Sequence, residues 1–224
     1  MKVGIIAALP REVNALVKGW TRRRLPGQVE IYTNGEAVVA CAGMGSARAA
    51  IGVEAAMAAM PLTALLSVGL AGACDPAMRV GEVVRFGTVI DGRSGERFEG
   101  SQREPVLVTT ESIAGVGEKA RLRASLYADA VDMEAAAVAR LARQHGLEFR
   151  AIKAISDEAD FEVEGLSRFA TSDGQFREGA FALHAALRPA MWGRVIALGR
   201  NSHRALGALT EVLRVELDWY RDRA

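Results

Sequence analysis

The 224-residue chain is short of several things at once. It has only two cysteines, almost no net charge, no long uncharged stretch and no Pro/Gly/Ser-rich linker. Cys41 and Cys74 lack any metal-ligand spacing, so they read as buried or semi-buried thiols of a reducing compartment, and no metal is expected. Lysine plus arginine number 28 against 27 acidic residues, a formal charge of +1, which gives no reason to expect nucleic acid as a partner. The run Arg22-Arg23-Arg24 is too short for a binding patch and reads as solvated surface. No uncharged stretch approaches the ~20 residues of a membrane span. The opening MKVGIIAALPREV runs straight into Pro-Arg-Glu, unlike a signal peptide. The expected location is the cytoplasm. With no linker to divide it, residues 1–224 are expected to form one domain.

What is present is alternation. Lys2 to Leu9 is a short apolar run, a buried first strand. Pro10 suits a helix start, with the helix running to about Trp20. Gln28 to Thr33 and Ala37 to Ala42 predict two strands joined at Asn34-Gly35, a strong hairpin signal. Gly43-Met44-Gly45-Ser46 leads into an Ala-rich helix to about Met60. Leu62 to Val68, Glu82 to Asp91, Pro105 to Thr109 and Ala128 to Val131 read as strands, with a polar loop from Gly92 to Gly100. Ala114 to Ser125 is helical. Asp132 to Gly146 is a helix with Asp at its N-cap and Gly at C′. Glu148 to Ile155 is the last strand, and the chain is helical from about Pro189. The fold class is α/β: a mixed, largely parallel sheet surrounded by helices.

Three carboxylates follow separate strands. Glu12 starts the first helix, Glu134 lies in Asp132-Met133-Glu134, and Asp157 ends the apolar strand in AIKAISDEAD. Each has a plain structural explanation as a cap, a turn former or a complement to a helix dipole. Each also lies where ligands bind in open α/β sheets, beyond the carboxyl ends of strands. Gly43-Met44-Gly45 invites a dinucleotide reading, but position 48 is arginine where that pattern needs a third glycine. Backbone N–H groups facing phosphate or water suit it better.

MKVGIIAALPREV, SVGLAGACD, VDMEAAAVARLA and AIKAISDEAD, in that order, resemble the signature segments of bacterial methylthioadenosine/S-adenosylhomocysteine nucleosidases and their phosphorylase relatives. The resemblance covers about Met1 to Asp160. FREGAFALHAALRPAMWGRVIALGRNSHRA is similar to one branch, the hopanoid-biosynthesis-associated phosphorylases that act on adenosylhopane. The resemblance implies cleavage of the N-ribosidic bond of a 5′-modified adenosine, with release of adenine. It gives Asp157 the role of general acid at purine N7 and Glu134 that of ribose-hydroxyl ligand. Met133 packs on the sugar, the Ile113 backbone reads adenine, and Ser112 and Ser156 complete the substrate-binding set. Glu12 activates water in the hydrolytic branch. Phosphate is the open alternative, because Arg11 lies beside it. The substrate is then a small-molecule nucleoside, no cofactor is implied, and a homodimer is expected.

Two positions depart from the pattern: Leu70 replaces a small polar residue, and Ser112 stands where an aromatic stacks on the base. Phe161 to Trp192 is rich in phenylalanine and punctuated by glycine, which suggests an apolar path for a large 5′ group or ordinary core packing. The rival classes are a short-substrate nucleosidase, a phosphorylase, a non-catalytic nucleoside-binding protein and a peripheral membrane module. The last rests on the stripe Leu206, Leu209, Leu213, Leu217 and Tyr220, which fits a helix docked on the core better.

Overall fold

A computed structural model describes residues 1–99, 105–161, 188 and 191–223. Among these, eleven strands form one mixed sheet. Its centre comprises β1 (Val3–Ala7), β4 (Ala37–Cys41), β5 (Ala64–Ala73) and β11 (Glu148–Asp157). β1 lies parallel to both β4 and β5, and β11 lies parallel to β5. These strands read as continuous apolar runs because both of their faces are covered. Val3, Ile5 and Ala7 point into one core layer, whereas Ile6 points into the other.

The flanks mix directions. β2 (Thr21–Leu25) and β3 (Val29–Thr33) continue antiparallel from β4. On the other side β10 (Ala130–Asp132) runs antiparallel to β5 and parallel to β9 (Val106–Thr109). β9 pairs with β7 (Thr88–Asp91), β7 with β8 (Arg97–Glu99), and β6 (Val83–Phe86) covers the free edge of β11. The Asn34-Gly35 hairpin is present. Gly35 has φ +90°, and the Asn34 side chain accepts hydrogen bonds from the Glu36 and Ala37 amides.

Helix α1 (Ser46–Ala59) and helix α3 (Ala135–Gln144) pack together on one face of the sheet. Ala49, Gly52, Val53 and Ala56 of α1 are buried at three- and four-residue spacing. Helix α2 is Val116–Leu126 and helix α4 is Trp192–Arg221. The second half of α4 buries Leu209, Leu213 and Tyr220 on the opposite face, with Leu206 and Leu217 packed against that core. The expected stripe is therefore a docking face on the sheet. No helix among the described residues is long and apolar enough to cross a membrane.

Several local expectations need correction. Residues 10–20 do not form a continuous helix but a 3₁₀ turn, Pro10–Glu12, followed by isolated turns. Val13, Leu16 and Val17 are still buried, so the apolar period was real although the helix is not. The run Arg22-Arg23-Arg24 lies within the exposed edge strand β2. Glu82 to Asp91 is two strands, and the polar loop before position 100 contains β8, where buried Phe98 alternates with exposed Arg97 and Glu99. Helix α3 starts at Ala135 rather than Asp132, which ends β10; its Oδ2 still accepts the Ala135 N–H at 3.0 Å. Gly146 has φ +65° just beyond the helix, the conformation expected of C′.

Candidate active site

A cavity of about 630 Å³ opens at the carboxyl ends of β1, β5, β9, β10 and β11. Glu12, Ser112, Ile113, Met133, Glu134, Ser156 and Asp157, the residues singled out above, all line it.

Glu12 reaches its place because the chain turns sharply after β1. Its Oε2 accepts the Ala8 amide at 2.9 Å and the Leu9 amide at 3.1 Å. Burial pushes its pKa up; the Leu9 amide, the charges of Lys153 and Arg11, and the Ala8 amide oppose the shift without cancelling it. Room for the carboxylate is made by Gly69 of β5, which has φ +134° and would place a Cβ 3.1 Å from both Glu12 oxygens.

Glu134 sits between β10 and α3. Its Oε1 accepts the Gly45 amide at 2.8 Å, at the start of α1. The Gly43–Ser46 turn thus directs that N–H at the protein's own carboxylate instead of at an open anion. Burial pushes the Glu134 pKa up to about 7, with Lys153 opposing and Asp132 reinforcing the shift.

Lys153 joins these groups. It is fully buried in the middle of β11 and pairs with Asp132 Oδ2 at 2.8 Å. Asp132 is held in turn by the Thr109 hydroxyl at 2.7 Å. Burial works against the lysine charge, but Asp132, Glu134 and Glu12 outweigh it and hold its pKa above the ordinary value. One ammonium therefore serves three carboxyl groups, an arrangement that favours retention of a proton on one of them.

Asp157 lies on the other side of the cavity. The β11–β5 register shifts between Ile155 and Asp157, so Ser156 is the extra residue of a bulge, a feature that re-aims neighbouring side chains. The Ser156 hydroxyl donates to Asp157 Oδ1 at 2.6 Å, and Lys119 of α2 pairs with Oδ2. Two groups on separate elements thus fix the carboxylate.

The first half of α4 closes the remaining side. Val195, Leu198, Gly199 and Leu206 give the wall an apolar character, and Ser202 and His203 add polar atoms. Leu70 and Ser112 also line the cavity, at the two positions that depart from the family pattern. Among the described residues no group of His, Cys, Asp or Glu is placed to hold a metal ion. Cys41 and Cys74 are buried and unbridged, and burial raises both thiol pKa values, that of Cys74 to about 12.

The family model described as "Phosphorylase superfamily" matches residues 2–113 and 102–189. The chain belongs to the phosphorylase superfamily. It is an enzyme, a nucleosidase or a nucleoside phosphorylase. A 5′-methylthioadenosine/S-adenosylhomocysteine nucleosidase of Actinobacillus succinogenes is 25% identical over an alignment 203 positions long, and the match covers 73% of this chain and 88% of that one. Futalosine hydrolase of Helicobacter pylori superposes with a TM-score of 0.72 at 16% identity, covering 97% of each chain. The nucleosidase of Neisseria meningitidis in complex with methylthio-immucillin-A gives 0.71 at 16% identity, covering 95% of this chain and 96% of that one. At such identities the likeness to solved structures is one of fold.

Sequence reasoning about this superfamily enzyme missed Lys153, Lys119 and the α4 wall. Lys153 left a signal: a lone charge inside the apolar run Ala151–Ile155 needs a buried partner. Lys119 left none, because a lysine in a mixed helix reads as solvent-facing. The α4 periodicity was visible, but not which half would overhang the site.

Proposed function

We propose that the enzyme hydrolyses the N-ribosidic bond of a 5′-modified adenosine, releasing adenine. The observation that carries this reading is the convergence of Asp157, Glu134 and Glu12 on one cavity from three separate elements. Anionic adenine is a poor leaving group, so a proton delivered to N7 by Asp157 lets it depart neutral. Glu134 binds the ribose hydroxyls, and those bonds tighten as the sugar acquires oxocarbenium character. Met133 packs on the sugar, as a thioether suits an irregular apolar surface. The Ile113 backbone and Ser112 border the base, and Ser156 holds Asp157. Glu12 offers Oε1 to water, because the Ala8 and Leu9 amides occupy Oε2.

Water fits this nucleophile site better than phosphate. A phosphate dianion there would face Glu12 and Glu134 together, and the Gly45 amide is already bound to Glu134. The opposing reading, phosphorolysis, draws on Arg11, which lines the same cavity.

For the 5′ group we favour an apolar substituent, adenosylhopane being the candidate that the C-terminal resemblance names. Val195, Leu198 and Leu206 support this reading, since burial of apolar surface is worth roughly 25 cal/mol per Å². Most of the Phe161–Trp192 segment suggested as an apolar path lies outside the described residues. The chain is proposed to work as a homodimer, which light scattering at twice the chain mass would register. The function is tested by adenine release from adenosines carrying hydroxyl, methylthio, homocysteinyl and long alkyl 5′ groups. The long alkyl compound should give the highest kcat/KM; a clear preference for methylthioadenosine would replace it with the short-substrate nucleosidase.

A further inference from the structure

Lys119, a buried cation on the cavity wall, has so far been given no part in the chemistry beyond its contact with Asp157. Lys119, in the first turn of α2, is 1% exposed. Its Nζ donates to Asp157 Oδ2, to the Glu158 carbonyl at 2.9 Å and to the Phe161 carbonyl at 3.2 Å. An ammonium has three N–H bonds, and all three are therefore used. The backbone leaves space for the pair: a Cβ on Gly72 would lie 2.9 Å from Asp157 Oδ2 and 3.1 Å from Lys119 Cε. An apolar side chain could fill the same volume without the cost of desolvating a charge. What the ammonium adds is orientation and a proton, both applied to the Asp157 carboxylate.

We propose that Lys119 is the positioning residue of Asp157 and the source of the proton that Asp157 delivers. This rests on the reading of Asp157 as the general acid. A Lys119 N–H bond breaks, leaving its electron pair on Nζ, and an O–H bond forms on Asp157. That O–H bond then breaks as N7–H forms, and the C1′–N9 bond breaks with its electron pair going to the base. Water adds to C1′ and gives one proton to the Glu12 carboxylate. The cycle ends with Lys119 as the amine, Asp157 as the carboxylate and Glu12 as the acid. One proton taken from solvent by Lys119 and one returned by Glu12 restore the enzyme, so nothing beyond water is consumed.

The test compares two leaving groups on the same 5′-substituted ribose, using whichever substituent the wild type accepts. One is adenine, which needs the proton; the other is 4-nitrophenolate, which departs as a stable anion. In Lys119→Met, kcat for adenine release should fall by about 100-fold or more, with KM and the 4-nitrophenyl rate within roughly threefold of wild type. Lys119→Arg, which keeps the charge, should recover part of the loss. Equal losses for both leaving groups, a loss confined to KM, or no loss would each overturn the proposal. If Lys119→Met does not fold, Asp157→Asn is compared with Lys119→Met/Asp157→Asn, in which neither charge remains. Equal residual adenine release is expected, and a further loss in the double variant would show that Lys119 does not act through Asp157. Wild-type enzyme that releases no adenine from any substrate defeats the hydrolase reading itself. Activity with an unchanged leaving-group ratio in Lys119→Met defeats only the role of the lysine.

Discussion

Replacing Gly69 by alanine should separate backbone strain from misplacement of Glu12, the proposed base. Gly69 has φ +134°, a conformation that side-chain-bearing residues rarely adopt, and the new Cβ would stand 3.1 Å from both Glu12 oxygens and 3.2 Å from its Cδ. Two costs follow. The backbone strain should lower stability by about 1–3 kcal/mol. The steric contact should push the Glu12 carboxylate by a few tenths of an ångström. Misplacement by about 1 Å can cost roughly 10²-fold, so a shift of this size should lower kcat about tenfold. Gly19 supplies the control: its φ is +87°, and nothing lies within 4 Å of a Cβ there. Urea unfolding should show Gly69→Ala and Gly19→Ala both destabilised, whereas adenine release should fall only in Gly69→Ala. Full activity in Gly69→Ala, or an equal loss in Gly19→Ala, would refute the argument that Gly69 sets the position of Glu12.

Asp157→Asn should cost about 10²–10⁴ in adenine release from a folded protein, because an amide cannot supply the proton; near-wild-type rates would remove Asp157 from the mechanism. Glu134→Gln should lower kcat more than it raises KM in steady-state kinetics, because the proposed role has its bonds to the sugar strengthening in the transition state; a change in KM alone would make Glu134 a simple binding group. Stability should fall as pH rises from about 4.5 to about 7. The folded enzyme holds the Glu134 proton up to about pH 7 and the unfolded chain releases it near 4.5, so the stabilisation is present at low pH and is lost as pH climbs through that window. Its size is at most about 3 kcal/mol, and urea midpoints in Glu134→Gln should depend less on pH; an equally steep dependence would assign it elsewhere.

The parts legible in the sequence were those fixed by local rules. The apolar run of β1, the Asn34-Gly35 hairpin and the Gly146 end of α3 each carry their own signal. The seven expected site residues came together because each lies at or shortly after the carboxyl end of a strand, where this topology exposes side chains to one rim. Segments governed by tertiary context were not legible. The backbone leaves helical geometry at Val13 (φ −127°, ψ −4°), directly after the Pro10–Glu12 turn, so the Val13–Val17 period never becomes a continuous helix. β2 is exposed and charged, without the alternation that reveals a half-buried strand. Lys119 and Asp157 are 38 positions apart and meet only because α2 packs beside the end of β11.

Product analysis in the absence of phosphate decides between hydrolysis and phosphorolysis. Purified enzyme is incubated with 5′-substituted adenosines in phosphate-free buffer, and adenine and the sugar product are followed by mass spectrometry in ¹⁸O-labelled water. Hydrolysis gives adenine together with a free ribosyl product carrying one ¹⁸O at C1′, and near-complete loss of both is expected in Glu12→Gln. Adenine release that appears only when phosphate is added, with a ribosyl 1-phosphate as the partner product, would contradict it.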